Sequence, residues 1–299
     1  MTSDDVTASL LSAFDYVGCD AVAEVGGLAS SAFAFELDFD SARRWPDLPY
    51  DTGDASSHYT PSDRPPIRAI LHSAIETFRH RAPKAWRFVN AEITSAMIRR
   101  SSAIDGASSS SNRELVGVCL LTNLHRAPDA VSVCVEALVH ESIHQHLYRL
   151  ELANGAFCDL RDAGRYRSPW SGNRIPLHSI IDASLVWYGI LGLWCQLAQT
   201  VASDAEAAAA RQRVAEILFG FAFVRETIEA PRFPRASVAP GIIELIGHMA
   251  RVGGAVTPSS DARGTIGASM RASEQGAWSE DLRSVLRQMR ESWRDPPAR

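Results

Sequence analysis

The chain has 299 residues, 46% of them hydrophobic and 22% charged, and its formal net charge is −5. A globular core of this size folds without disulfides or a structural metal, and the acidic balance argues against nucleic acid or an anionic membrane as partner. The five cysteines form no CxxC pair, and the N-terminus lacks the basic segment of a signal peptide. These features predict a cytoplasmic protein with free thiols.

The N-terminal part of the chain predicts a mixed, largely helical region. Residues 4–16 have the spacing of a short amphipathic helix, whereas residues 20–63 are rich in turn formers and predict irregular structure. Pro65 and Pro66 open a second helical pattern, since proline suits the first turn of a helix. Residues 86–99 predict a strand.

A serine-rich segment, residues 101–112, predicts a loop because it has few large apolar side chains to bury. The apolar, partly β-branched run at 115–123 predicts a buried strand. A long helix should then run from about Pro128 to Leu152. It should stop at Asn154-Gly155, since glycine commonly ends helices.

Further helices dominate the rest of the chain. A polar, arginine-rich connection at 158–176 precedes predicted helices at about 177–200, 203–229, 239–251 and 274–294. The predicted fold is mostly α with a small β-sheet that precedes the long central helix. The apolar helix at 177–200 contains Asp182 and Gln196, which favours burial in a protein core over a membrane span.

Two regions follow from this order of elements. Residues 1–100 form the mixed N-terminal region, and residues 113–299 hold the candidate catalytic helix and the C-terminal helices. The serine-rich segment separates them. A chain of this length can equally fold them into one compact domain.

The most informative segment is HESIH at residues 140–144, in the middle of the long helix. His140 and His144 are four residues apart, about 40° around a helix, so both imidazoles leave the same face and can bind one divalent metal. Glu141 is rotated by about 100° and can act on a metal-bound water as a general base. An apolar stripe predicts that this helix lies in the core, and it comprises Val139, Ile143 and Leu147. His146 should point to another face.

A third protein ligand is expected, because two histidines rarely hold a catalytic metal alone. Leucines at 147 and 150 exclude the HExxHxxGxxH pattern. Glu226 and Glu229 are possible ligands from a later helix, but we favour His178 at the start of an apolar helix. Asp182, one turn further on, could orient that histidine through its second ring nitrogen.

Together, HESIH and the segment SPWSGNRIPLH at 168–178 resemble the HExxH-motif proteins found beside ribosomal peptide natural-product clusters. The resemblance covers roughly residues 115–200. The positions that match the second motif are Ser168, Pro169, Trp170, Arg174, Pro176, Leu177 and His178.

Some members of that family are iron(II)- and 2-oxoglutarate-dependent peptide β-hydroxylases. The resemblance therefore implies a metal bound by His140, His144 and His178, with 2-oxoglutarate and dioxygen at the remaining positions. The far carboxylate of 2-oxoglutarate calls for an arginine, and Arg174 is our choice because it lies in the matched motif. Trp170 is expected to pack rather than to line the site.

Two functions remain open on the sequence. The first is hydroxylation of a C–H bond, typically at a β-carbon, in a peptide or amino-acid residue, using iron(II) and 2-oxoglutarate. The second is a zincin-type peptidase with zinc as the metal and Glu141 as general base. The helix at 140–144 supports both, and the segment around His178 favours the first. The sequence does not indicate an oligomeric state.

Overall fold

The computed structural model describes residues 35–40, 58–102, 104–161, 164–200 and 203–254. Within these residues the protein is mostly helical with a small sheet, which confirms the predicted fold class. The helices predicted at 4–16 and 274–294, and most of the irregular region at 20–63, lie outside the described residues.

The chain divides into two compact units. The N-terminal unit comprises Asp20–Gly155, and the C-terminal unit comprises Ala156–Arg299 together with Met1–Cys19. The boundary between the two units comes directly after the long central helix. The sequence instead predicts a division into residues 1–100 and 113–299, on either side of the serine-rich segment.

Three helices build most of the N-terminal unit: α1 (Arg64–Arg81), α2 (Pro83–Glu92) and the motif helix α3 (Ala130–Asn154). Both α1 and α2 pack against α3. Pro83 starts α2 where a strand is predicted, so that prediction is wrong up to residue 92. The buried positions Trp86, Val89 and Glu92 recur every three residues, which is the spacing of one helix face rather than of a strand.

A four-stranded sheet completes this unit, with strand order β1-β2-β4-β3. Strands β1 (Glu36–Asp38), β2 (Ser95–Arg99) and β4 (Val118–Thr122) are parallel, and β3 (Ser108–Ser111) pairs with β4 in the antiparallel direction. The predicted strand at 115–123 is confirmed as β4. The predicted small sheet therefore precedes α3 in the chain, as expected.

The serine-rich segment is not entirely a loop, because residues 108–111 form β3. Serine has little intrinsic preference for strands, so it is the backbone pairing with β4 that determines this structure. The preceding turn is anchored by Asn123, whose Nδ2 donates to the carbonyl oxygens of Ser101 at 2.8 Å and Ile104 at 3.2 Å. Arg126 donates to the same two oxygens, at 3.1 and 3.0 Å.

The ends of the motif helix follow from its sequence. The Asp129 side chain accepts a hydrogen bond from the backbone N–H of Ser132 at 3.1 Å, which caps the first turn. Gly155 has a φ of 90°, a conformation that glycine adopts readily, and it ends the helix as predicted.

Gln145 fixes the motif helix on the sheet. Its side chain is fully buried; Oε1 accepts from the N–H of Gly117 at 2.6 Å, and Nε2 donates to the carbonyl oxygen of Val118 at 2.9 Å. Gly117 has a φ of +85°, and a Cβ there would lie 2.8 Å from Thr94 Oγ1. The start of β4 is therefore bound to one turn of α3 by a contact that needs glycine and glutamine at these positions.

Within the described residues, the C-terminal unit contains a hairpin and three α-helices. Strands β5 (Arg165–Arg167) and β6 (Arg174–Pro176) pair in the antiparallel direction. Helix α5 (Asp204–Glu229) packs against both α4 (Leu177–Thr200) and α6 (Pro240–Gly254). Helix α4 is long and apolar enough to cross a membrane, but 78% of its most apolar window is buried in the structure, as in a core helix.

The hairpin carries Trp170 into contact with helix α5. The indole stacks on Trp187 at 5.6 Å between ring centroids, and a Cβ on Gly220 would lie 2.0 Å from Trp170 Nε1. This close approach confirms the prediction that Trp170 packs, and it explains why a glycine lies in the middle of α5.

We expect Gln145→Ala to lower the free energy of unfolding by about 3 kcal/mol, because two buried backbone groups lose their partner. Urea unfolding of the metal-free protein measures the loss. The matched control is Gln212→Ala, at an exposed position of α5, which should change stability by less than about 0.5 kcal/mol. Equal losses in the two variants would contradict the assigned contact.

Gly220→Ala should destabilise the protein by about 1–3 kcal/mol, because the new methyl group overlaps the Trp170 ring. Gly247→Ala in α6 is the matched control, since its Cβ meets nothing nearer than 3.5 Å. Calorimetric melting compares the two variants. Adding Trp170→Ala to Gly220→Ala should remove most of the additional cost, and a strictly additive double variant would refute the assigned overlap.

Candidate metal centre

His140 and His144 lie side by side on the motif helix. Their ring centroids are 5.0 Å apart and their ring planes are inclined by 57°. Two imidazoles that bind one ion at about 2 Å in near-tetrahedral geometry have ring centres on the order of 5 Å apart. The separation of the two rings is therefore compatible with a single divalent metal. Both rings are half-buried, whereas the neighbouring Val139 and Ile143 are fully buried.

Glu141 is the one acid of the motif, and only 1% of its surface is exposed. Burial raises the pKa of its carboxyl group above the ordinary value, and His144, Ser109 and Ser111 partly offset that rise. Among the residues that the structure describes, its Oε2 atom has no hydrogen-bond partner. A buried polar atom of this kind is costly in a native protein, and a catalytic role, a bound water or a bound ion would each account for it.

The edge strand β3 lies next to this glutamate. Ser109 and Ser111 are two residues apart, so both side chains lie on the same face of the strand. Both lie within hydrogen-bonding reach of the Glu141 carboxyl group, and Ser111 Oγ also lies 3.4 Å from the Glu141 carbonyl oxygen. These serines give no signal in the sequence, since a serine-rich stretch is typical of a loop and does not indicate contact with a distant helix.

His146 lies on another face of the helix, as predicted. Its Nδ1 lies 3.0 Å from Glu92 Oε1, and its ring meets Phe88 edge-on at 5.7 Å. Arg149 also pairs with Glu92, at 2.9 Å. These contacts connect α3 to α2 and leave His140 and His144 as the candidate metal-binding pair of the motif.

Tyr148 and Arg113 extend the site beyond the predicted residues. The Tyr148 ring stacks on that of His144, at 5.9 Å and 23°, and the Arg113 guanidinium lies 5.8 Å from the Tyr148 ring centre. Tyr148 could have been found from the sequence, because it lies one helical turn after His144. Arg113 could not, because its approach depends on the course of the chain after β3.

The other predicted site residues belong to the C-terminal unit. His178 Nδ1 lies 3.4 Å from Asp182 Oδ2, so these two side chains share one helix face as their spacing predicts. Arg174 is exposed and donates to the Arg165 carbonyl oxygen across the hairpin at 3.4 Å. The metal-binding role of His178 and the cofactor-binding role of Arg174 stay predictions.

The alternative ligands Glu226 and Glu229 lie at exposed positions of helix α5. Glu229 forms an ion pair with Arg225 at 3.0 Å. Exposed acids of this kind are common on helix surfaces, so their presence is weak evidence for a metal ligand.

In comparisons with known proteins, no protein-family model matches the chain, and no curated protein matches it at a significant level of similarity.

Because burial raises the pKa of Glu141, ionisation of this group should destabilise the metal-free fold as pH rises. The protonated carboxyl makes its full contribution to stability at pH values below the pKa of Glu141 in the unfolded chain. That contribution is lost as the pH rises through the pKa of Glu141 in the folded protein. We therefore expect Glu141→Gln to gain stability relative to the unmodified protein between pH 4 and pH 8. Urea unfolding at both values measures the gain.

The control for this comparison is Glu136→Gln, the same chemical change at a partly buried position of the same helix. A difference between Glu141→Gln and the unmodified protein that stayed constant across this pH range would show that the buried carboxyl does not titrate there.

Proposed function

We propose that this protein is a metal-dependent enzyme whose divalent ion is bound by His140 and His144, and that its reaction is the hydroxylation of a peptide or amino-acid residue with iron(II) and 2-oxoglutarate. The supporting observation is the histidine pair, 5.0 Å apart between ring centroids, beside a glutamate that is 1% exposed and has a buried oxygen without a partner in the described region. Residues with no role would not keep this costly arrangement in a protein core.

His178 is the proposed third ligand. Its Nδ1 faces the Asp182 carboxylate at 3.4 Å, so Nε2 would be the metal-binding atom. A carboxylate in this position fixes the tautomer and orientation of a ligating histidine and raises its basicity. Arg174 would bind the far carboxylate of 2-oxoglutarate through its planar guanidinium.

When bound, iron(II) supplies the oxidation: dioxygen is split so that one oxygen atom enters a substrate C–H bond and the other enters 2-oxoglutarate, which leaves as succinate and carbon dioxide. The protein's own residues bind and shield the reactants. Glu141, held by Ser109 and Ser111, would orient a water molecule or a polar group of the substrate near His144.

A peptide substrate is supported by the position of β3. This strand ends the sheet, pairing with β4 on one side, and within the described residues no strand pairs with its other edge. An exposed strand edge can pair with an extended peptide through backbone hydrogen bonds, whatever the peptide's side chains. Since the serines of β3 contact Glu141, a peptide bound along this edge would pass close to the histidine pair.

We propose a cytoplasmic location for this reaction.

One observation favours a second function, a zinc peptidase. A carboxyl group with a raised pKa is a better proton acceptor near neutral pH, and the pKa of Glu141 is raised by burial. In that reaction Glu141 would take a proton from the water that attacks the peptide carbonyl, and would pass it to the leaving amine.

An anaerobic titration separates the two functions. Iron(II) is added to metal-free protein, then 2-oxoglutarate, and the visible spectrum is recorded. We expect a weak absorption band that needs both additions, because 2-oxoglutarate chelates iron(II) when three protein ligands leave positions open. His144→Ala and His178→Ala should each lose the band.

The control variant is Glu226→Ala, which removes the alternative ligand and should keep the band. If no band forms, while zinc supports cleavage of an unstructured protein such as casein and Glu141→Gln abolishes that cleavage, the protein is a peptidase. Loss of the band in Glu226→Ala but not in His178→Ala would refute His178 as the third ligand.

A further inference from the structure

A continuous row of contacts leads from the second motif histidine to an ion pair between half-exposed Arg113 and the buried carboxylate of Glu151. The Tyr148 ring lies nearly parallel to the His144 ring, and the Arg113 guanidinium lies over the Tyr148 ring. Arg113 in turn donates to Glu151, whose side chain is only 3% exposed. His144, Tyr148 and Glu151 are spaced by four and three residues, so all three lie on one face of the motif helix.

The buried end of this row is fixed by electrostatics. A carboxylate as buried as that of Glu151 needs a cationic partner, and Arg113 supplies it. The planar guanidinium also attracts the face of an aromatic ring, which restrains the Tyr148 ring. The tyrosine therefore contacts both a restrained cation and the imidazole of His144.

The free end of the row is the metal-binding pair. A histidine ring turns about two side-chain bonds, and a ligand that must first be ordered binds its metal more weakly. In many metal sites a hydrogen bond to the second ring nitrogen supplies this order. For His144 the nearly parallel ring of Tyr148 can supply it, because the imidazole keeps this stacking only over a limited range of orientations.

We propose that Tyr148 is a positioning residue that holds the His144 ring in its metal-binding orientation, and that Arg113 and Glu151 hold Tyr148 in turn. The inference rests on the proposed metal site at His140 and His144. It adds a residue that acts through the histidine and needs no contact with the metal or the substrate.

The test uses metal alone and no substrate. Zinc affinity of the full-length protein is measured by competition with a chelator, and the visible spectrum of the cobalt(II)-loaded protein reports the ligand geometry. Tyr148→Leu keeps an apolar side chain but removes the planar ring. We expect it to lower zinc affinity about 10- to 100-fold, the range found when groups that orient a ligating histidine are lost, and to change the cobalt(II) spectrum.

Tyr148→Phe is the rescue variant, because it keeps the ring face and loses only the hydroxyl group. Its affinity and its cobalt(II) spectrum should match those of the unmodified protein. Arg113→Met keeps Tyr148 but removes the cation above it, and should lower the affinity by a smaller factor. If Tyr148→Leu does not fold, Arg113→Met still tests the row.

Phe88→Leu is the matched control for loss of an aromatic contact. Phe88 meets His146, on another face of the same helix, at 5.7 Å, close to the 5.9 Å between Tyr148 and His144. The zinc affinity of the Phe88→Leu variant should match that of the unmodified protein. Equal losses in Phe88→Leu and Tyr148→Leu would mean that general loosening of the helix is responsible, and would overturn the inference.

Two further outcomes overturn it. Unchanged affinity and spectrum in Tyr148→Leu would show that the ring does not orient His144, while the metal site itself stands. Equal losses in Tyr148→Phe and Tyr148→Leu would assign the effect to the hydroxyl group instead. If the unmodified protein binds neither zinc nor cobalt(II), the proposed metal site fails first and the role of Tyr148 fails with it.

Discussion

The contact between Gln145 and the start of β4 sets the geometry of the N-terminal unit. A side-chain amide that bonds both a backbone N–H and a backbone carbonyl allows one rotation and one height of the helix relative to the strand. Gln145 directly follows His144, so the rotation that buries the glutamine also determines the direction of the histidines. A helix held by apolar contacts alone could turn or slide at lower cost, because such contacts have no direction.

The same constraint accounts for the burial of Glu141. With Gln145 bonded to β4, the preceding turn of α3 lies next to β3, where His144, Ser109 and Ser111 only partly offset the desolvation of the Glu141 carboxylate. A carboxylate in such surroundings is destabilised when charged, and its stability would improve if a cation were bound nearby. The buried acid and the nearby histidine pair thus both favour a bound cation. A metal on the histidines would lower the free-energy cost of burying the Glu141 carboxylate, and the carboxylate would in turn stabilise the metal.

Local patterns in the sequence predicted the long helices and, within the candidate site, the part formed by the HESIH motif. Helices α1, α3, α4 and α5 follow from apolar spacing, from proline in the first turn and from their caps. The pairing of His178 with Asp182 likewise follows from a separation of four residues. Segments whose structure depends on contacts with other parts of the chain were harder to predict from the sequence. The serines of β3 have no strand preference, and the residues 86–92 contain bulky side chains that suit either a strand or a helix.

The sequence by itself determined the identity and helical phase of the motif, because the positions of His140, Glu141 and His144 on one helix depend only on the 3.6-residue period. Only the tertiary structure decided what surrounds it. The approach of Ser109, Ser111 and Arg113 requires an edge strand to pair with β4 and to lie against α3, and the contact with α3 joins residues 30 positions apart, such as Ser111 and Glu141. Local preferences are set by neighbours in sequence, whereas these contacts depend on how the backbone hydrogen bonds of the whole unit are satisfied.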